Sequence, residues 1–280
     1  GQTGSGKTFT MTGSPSLPGL TPRAIHELYG LIEQTNAEGS GVTVTVKSYF
    51  MELYNDQLVD LYYGLEHKSD KKSKPPKLDI KLDAKKMVYI KNAEVKEAGS
   101  AEELLKMFEN GNTMRHVGST AMNSESSRSH SIFSVLVEVY NETTHKTTTG
   151  KLSLIDLAGS ERADKTGAQA ERLREAQSIN KSLSALCDVI SALSTNASFV
   201  PYRNNKLTQM MQDSLGGNAK TLMFVNISPA DYNRDETLGS LEYASRAKLI
   251  TNDAAKNADS EEVAALKAEV SRLERQLLSG

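Results

Sequence analysis

Gly1-Gln2-Thr3-Gly4-Ser5-Gly6-Lys7-Thr8 fits the phosphate-binding pattern G-x-x-x-x-G-K-[ST] at every constrained position. Glycines at positions 1, 4 and 6 permit a backbone path closed to residues with a Cβ, so that successive N–H groups can converge on phosphate oxygens. Lys7 adds a point charge for the β- and γ-phosphates. Thr8 offers a hydroxyl to Mg²⁺ and starts a helix whose positive end faces the same anion. A Gly/Ser-rich flexible terminus with a chance lysine is the competing reading; the completeness of the match and the partner motifs downstream weigh against it. A loop of this kind follows a buried strand, and nothing precedes Gly1, so the chain is expected to be a fragment or to lack its start.

The remaining composition bounds the protein class. At 280 residues and 38% hydrophobic content the chain can bury a substantial core. A net charge of -2 supplies no overall basic field, so a polyanionic partner must be met by a local patch, and neither nucleic acid nor membrane is expected as a partner. One cysteine, Cys187, excludes an internal disulfide framework and a cysteine-rich metal site. No apolar run approaches the ~20 residues of a membrane span and no signal peptide is visible, which points to the cytosol.

Along the chain, Thr21-Pro22 opens a helix with Ile25, Leu28, Tyr29 and Ile32 on one face. Val42, Val44 and Val46 alternate with polar residues as a strand, which runs on to Tyr54 and then into a helical turn through Leu58 and Leu61. Gly64 to Lys77, with Lys68, Lys71, Lys72, Lys74 and Lys77 around Pro75-Pro76, reads as a solvated basic loop. Leu78–Leu82 and Met87–Ile90 pair across a Lys-rich turn. Ser100 to Glu103 is a capping box for a helix that buries Leu104, Leu105 and Phe108 and ends near Gly111. Thr221–Ile227 reads as a central buried strand, and Asp235 to Ile250 as the last helix of the domain.

Two polar segments have the chemistry a phosphate loop needs. Asn123-Ser124-Glu125-Ser126-Ser127-Arg128-Ser129-His130 brings hydroxyls and a guanidinium to the start of the strand Ile132–Tyr140. Leu152-Ser153-Leu154-Ile155-Asp156-Leu157-Ala158-Gly159-Ser160-Glu161-Arg162 is a buried strand that ends in a carboxylate and then a glycine. An aspartate there, beside the phosphate loop, is where Mg²⁺ and its waters are ordered, and Gly159 can present a bare N–H to a γ-phosphate.

Taken with Val200 to Thr208, these segments resemble the kinesin motor domain, over nearly the whole chain to about Asn257. The resemblance implies an α/β P-loop NTPase, with a mixed, largely parallel central sheet between helical layers and with its N-terminal strands missing from this chain. It implies ATP as substrate and Mg²⁺ as cofactor, Gly1 to Thr8 and Asn123 holding the nucleotide, and Thr8, Ser127 and Asp156 serving the metal. Ser126, Ser127 and Gly159 would close over the γ-phosphate and attacking water, while Arg128 and Glu161 would pair to link the two loops. Phosphoryl transfer is mainly positioning and charge stabilisation, so loops that close only around a γ-phosphate both catalyse hydrolysis and report it. The report would pass to the helix Gln177–Leu193, with its apolar stripe Ile179, Leu183, Leu186, Ile190 and Leu193, and on to a microtubule surface carrying Arg162, Lys165, Lys181, Arg203 and Lys206. Kinesins often carry a basic residue at Gln177 and Gln209 and a glycine at Cys187, departures that imply a modest track affinity.

On this reading residues 1–252 form the motor domain, 253–262 a linker, and 263–280 an amphipathic helix. Val263, Leu266, Val270, Leu273 and Leu277 recur at spacings of three and four, suiting either a coiled coil that pairs two copies or a helix docked in a groove. The linker and body are most similar to the C-terminal-motor, minus-end-directed kinesins; a plus-end motor is the alternative. The competing functional classes are a non-motile microtubule adaptor with a kinesin-derived domain and a GTPase-like switch. Without the missing strands, residues 1–280 alone are expected to be at most partly folded.

Overall fold

The computed structural model describes residues 1–37, 39, 41–68, 74–117, 127–161 and 170–252. The basic stretch 69–73, the segment 118–126 with Asn123 and Ser126, the segment 162–169 with Arg162 and Lys165, and everything after Asn252 lie outside the described residues.

Short helix α1 (Lys7–Thr12) follows the phosphate loop and leads through the two-residue strands β1 (Gly13–Ser14) and β2 (Leu17–Pro18) into α2 (Leu20–Ala37). Strand β3 (Val42–Tyr54) then turns at Asn55-Asp56 into β4 (Gln57–Asp60) and helix α3 (Leu61–Glu66). Leu58 therefore belongs to a strand and not to a helical turn. Asn55 and Asp56 both take positive φ, 47° and 59°, the left-handed pair that lets a two-residue turn close a hairpin with the right twist. Hairpin β5 (Asp79–Leu82) and β6 (Val88–Lys91) forms across the Lys-rich turn, followed by β7 (Lys96–Glu97) and α4 (Ala101–Val117). The long hairpin β8 (His130–Asn141) and β9 (Lys146–Asp156) precedes α5 (Ala170–Ser194), α6 (Lys206–Met210) and α7 (Arg234–Ala247).

The main sheet runs β4-β3-β8-β9, with β7 also on β3. β3 alternates apolar and polar residues from Val42 to Lys47 and is buried almost continuously from Ser48 to Leu53, where helices cover both faces of the sheet. Val46, Phe50, Phe133 and Val135 meet α2, α3 and α4 on one side; Tyr49, Met51, Leu53 and Ile132 meet α5 and α6 on the other. The result is a sheet between two helical layers. Buried Lys151 of β9 pairs with buried Asp213, which also accepts the Val88 N–H at 2.8 Å and so ties the β5–β6 hairpin to the sheet.

α4 does not end at Gly111. The glycine sits mid-helix because a Cβ there would stand 2.3 Å from Cδ1 of Phe50, whose ring stacks on Phe108 at 5.5 Å between centroids. A glycine to alanine change inside a helix ordinarily stabilises by about 1 kcal/mol. Here the sign inverts: Gly111→Ala is expected to destabilise by about 1–3 kcal/mol through overpacking, read as a lower urea midpoint.

Every ladder among the described residues is antiparallel. Thr221–Ile227, expected as a central buried strand, forms no ladder. Nor is it buried: Leu222 is 76% exposed and Phe224 48%. A central strand is fixed by hydrogen-bonded neighbours on both edges, and a cavity of about 1230 Å³ lies between this segment and β9, lined also by residues of α5 and α7.

Candidate functional site

The site forms where α1, the start of β8 and the end of β9 converge. Gly4 and Gly6 take φ of 79° and 93°, giving the loop a left-handed path that a side chain would strain. Inside it, Ser5 Oγ donates to the Gln2 carbonyl at 2.7 Å and Lys7 Nζ donates to the same carbonyl at 2.9 Å. Burial pushes the Lys7 amine below its ordinary value, while Asp156 and then Glu161 oppose the shift. A half-buried ammonium with one backbone acceptor is poised to gain from an incoming anion. The buried side-chain oxygens of Gln2 and Ser160 have no hydrogen-bond partner, so the cradle contains groups aimed at something other than protein.

Asp156, at the end of β9, is 5% exposed. Its Oδ2 accepts from Thr8 Oγ1 at 2.7 Å, and its Oδ1 is buried without a hydrogen-bond partner. A hydroxyl beside a carboxylate with one oxygen spare is the donor set a hard divalent cation takes, so these residues fit Mg²⁺.

The two polar loops meet here as well. Gly159 N–H donates to the Ser127 carbonyl at 2.7 Å, and Ser160 N–H to the Gly1 carbonyl at 3.2 Å. Glu161 accepts from Thr3 N–H at 2.8 Å and from Thr3 Oγ1 at 2.5 Å, which puts a carboxylate on the phosphate loop itself. A Cβ on Gly159 would fall 2.5 Å from Thr3 Oγ1 and 2.3 Å from a Glu161 oxygen. Thus the structure brings Ser127, Gly159, Glu161 and Gly1 to Thr8 together. Arg128 lies half-buried at the same loop end.

Other polar residues at the site have no role assigned from the sequence, although Ser129 and His130 lie within the polar segment Asn123 to His130. Arg115 of α4, 4% exposed, stands between two carboxylates, with Nε 3.5 Å from Glu52 and Nη1 3.7 Å from Asp156. Ser129 completes the cluster, donating to Glu52 at 2.5 Å and accepting from Arg115 Nη2 at 3.4 Å. A signal existed: Leu104, Phe108, Gly111 and Arg115 fall on one face of α4, so the cation continues a buried stripe.

His130, 2% exposed, is the other. Burial above all, then the charges of Arg115 and Lys7, push its imidazole down from 6.5 to about 3. The unfolded chain therefore takes up a proton near pH 6.5 that the folded chain refuses until about 3, and stability falls as pH is lowered through that window. From pH 7 to pH 5 the urea midpoint is expected to drop further in the unmodified protein than in His130→Asn; equal drops would place a charged imidazole in the fold.

Of the residues expected at a microtubule surface, Lys181 is exposed on α5 and Arg203 is exposed in the turn Tyr202–Asn204 beside it. Lys206 is half-buried, its amine donating to the Asp56 carbonyl at 2.6 Å.

A family model described as the kinesin motor domain matches residues 1–250. The chain is 52% identical over 267 residues to the kinesin-like protein KIN-14E of Arabidopsis thaliana, covering 95% of this chain and 20% of that protein. It is 45% identical over 281 residues to Klp68D of Drosophila melanogaster, covering 98% and 34%. It is similar to the structure of a fast kinesin, with TM-score 0.79, 40% identity, and 92% of this chain and 71% of that one covered. It is similar also to the KIF14 dimer in its two-heads-bound state with AMP-PNP on a microtubule, with TM-score 0.82, 37% identity, and 92% and 72% covered. The chain spans about a fifth of the length of the Arabidopsis relative. A family match over most of the chain, joined to a phosphate loop on which both polar loops converge, means that this chain belongs to the kinesin motor-domain family.

Proposed function

We propose that this domain hydrolyses ATP and uses the closure of its two polar loops to alter its grip on microtubules. The observation that carries the reading is the Gly159 N–H bond to the Ser127 carbonyl, made directly over the phosphate loop. It couples the two loops that a γ-phosphate would have to part or join. Lys7 and the N–H groups of Gly4 to Thr8 hold the phosphates, and the kinesin resemblance adds Asn123 to the nucleotide-binding residues. Thr8 and Asp156, with Ser127, would hold Mg²⁺, which when bound would supply charge neutralisation to the polyphosphate. Ser126 and Ser127 orient the attacking water. Gly159 offers its N–H to the γ-phosphate, and Glu161 then leaves Thr3 to pair with Arg128 across the loops. Each of these movements is a choice between hydrogen-bond partners, which makes the site bistable. Beyond Asn252, the spaced apolar residues from Val263 support pairing of two copies.

The test is steady-state ATP turnover of the full-length protein with and without microtubules. Turnover that rises with microtubules is expected; a rate indifferent to them favours the adaptor or the GTPase-like switch. For the track surface, Arg203→Ala with Lys206→Ala is expected to weaken co-sedimentation by roughly 2–30-fold, since surface charges contribute about 0.2–1 kcal/mol each. The affinity that remains should be less steep in salt. Binding unmoved by both mutation and salt would put the contact elsewhere.

A further inference from the structure

His130 is buried at the meeting point of three elements, and the phosphate chemistry makes no use of it. Its Nδ1 accepts the Ala158 N–H at 3.1 Å, which leaves the ring proton on Nε2. Nε2 lies 2.7 Å from Ser182 Oγ on α5 and so donates to it. The Ser182 hydroxyl in turn donates to the Ile179 carbonyl at 2.7 Å, one turn back in the same helix. Each donor in this chain has one acceptor, so the direction of every bond is fixed. Ala158 is 2% exposed and sits between Asp156 and Gly159, and Ser182 is 4% exposed, so water does not compete at either end. A shift of the Asp156–Gly159 loop must therefore drag the ring or break a buried hydrogen bond.

We propose that His130 is a positioning residue that transmits movement of the Asp156–Gly159 loop to α5 through its two ring nitrogens, Ala158 N–H on one side and Ser182 on the other. The proposal rests on the nucleotide-driven motor reading and names the link between its two halves. It also accounts for a histidine where any apolar residue of that size would fill the space: only an acceptor and a donor on opposite edges of one rigid ring can hold both partners.

The experiment compares the full-length protein with Ser182→Ala, His130→Asn and the double variant. Ser182→Ala deletes the acceptor on α5. His130→Asn keeps an oxygen where Nδ1 stood, within reach of Ala158, and is too short for Ser182. Hydrogen exchange of residues 176–190 is measured with ADP and with a non-hydrolysable ATP analogue. The unmodified protein is expected to show a difference between the two nucleotides, and each single variant to lose it by about fivefold, the equivalent of one buried hydrogen bond. The double variant should lose no more than either single one. A nucleotide difference that survives in Ser182→Ala, or losses that multiply in the double variant, would overturn the relay. Microtubule-stimulated turnover, measured on the same proteins, tests the motor reading separately: stimulation absent from the unmodified protein sinks that reading while the exchange result still decides the relay.

Discussion

Lys7→Ala is expected to weaken ATP binding by roughly a hundredfold or more, since a hydrogen bond to a charged group contributes about 1.5–3 kcal/mol and this amine would serve two phosphates. The structure gives the direction. Lys7 is held in a half-buried position where desolvation already works against its charge, and a single backbone carbonyl, that of Gln2, accepts from it at 2.9 Å. An arriving polyphosphate relieves that cost; alanine leaves the polyphosphate facing Asp156 and Glu161 with no cation between. Titration with a fluorescent ATP analogue measures the loss, and an unchanged Kd would refute the assignment of Gly1 to Thr8 as the phosphate cradle.

The second large effect lies away from the loop. Arg115→Met is expected to destabilise the fold by about 3–5 kcal/mol, because removing one member of a buried ionic cluster strands the others. Glu52 and Asp156 have side chains only 13% and 6% exposed, and the guanidinium is the cation between them. Against a net stability of about 5–15 kcal/mol this is a loss of roughly 10 °C in thermal midpoint. Adding Glu52→Gln to Arg115→Met should recover part of it by removing one of the two stranded charges. A single variant that melts within a degree or two of the unmodified protein would show that Arg115 is not the counter-charge.

The phosphate loop, Asp156 and Gly159 were legible in the sequence because their chemistry needs residue types at fixed, short spacing. Arg115, Glu52 and His130 were not, since their partners are set by which strand lies beside β8 and by how α4 packs over it. Gly111 looked like a helix end because glycine is a poor helix former; its reason for being there is the ring of Phe50, sixty-odd residues earlier. Leu58 and Leu61 have helical spacing, but the Asn55-Asp56 turn closes a hairpin that puts Leu58 in β4 and starts the helix only at Leu61. Thr221–Ile227 carries a strand's composition, and composition does not say whether a neighbour is there to pair with it. Asn123, Ser126, Arg162 and Lys165 fall outside the described residues, so their roles stand on resemblance alone.

The β3–β8 ladder has a consequence for how the chain reaches this structure. It pairs Val42 with Asn141 and Leu53 with His130, so every rung joins residues on opposite sides of a loop on the order of eighty residues or more. Contacts of that separation are slow to find, whereas β8 and β9 meet across a four-residue turn and form on the microsecond scale typical of hairpins. β8 and β9 therefore come together first, and β3 docks afterwards onto a hairpin that already exists. Until it does, the edge of β8 from His130 to Asn141 has unpaired backbone groups, with Ile132 on one face and Phe133 and Val135 on the other, and a newly made chain is most prone to associate with its own kind during that interval.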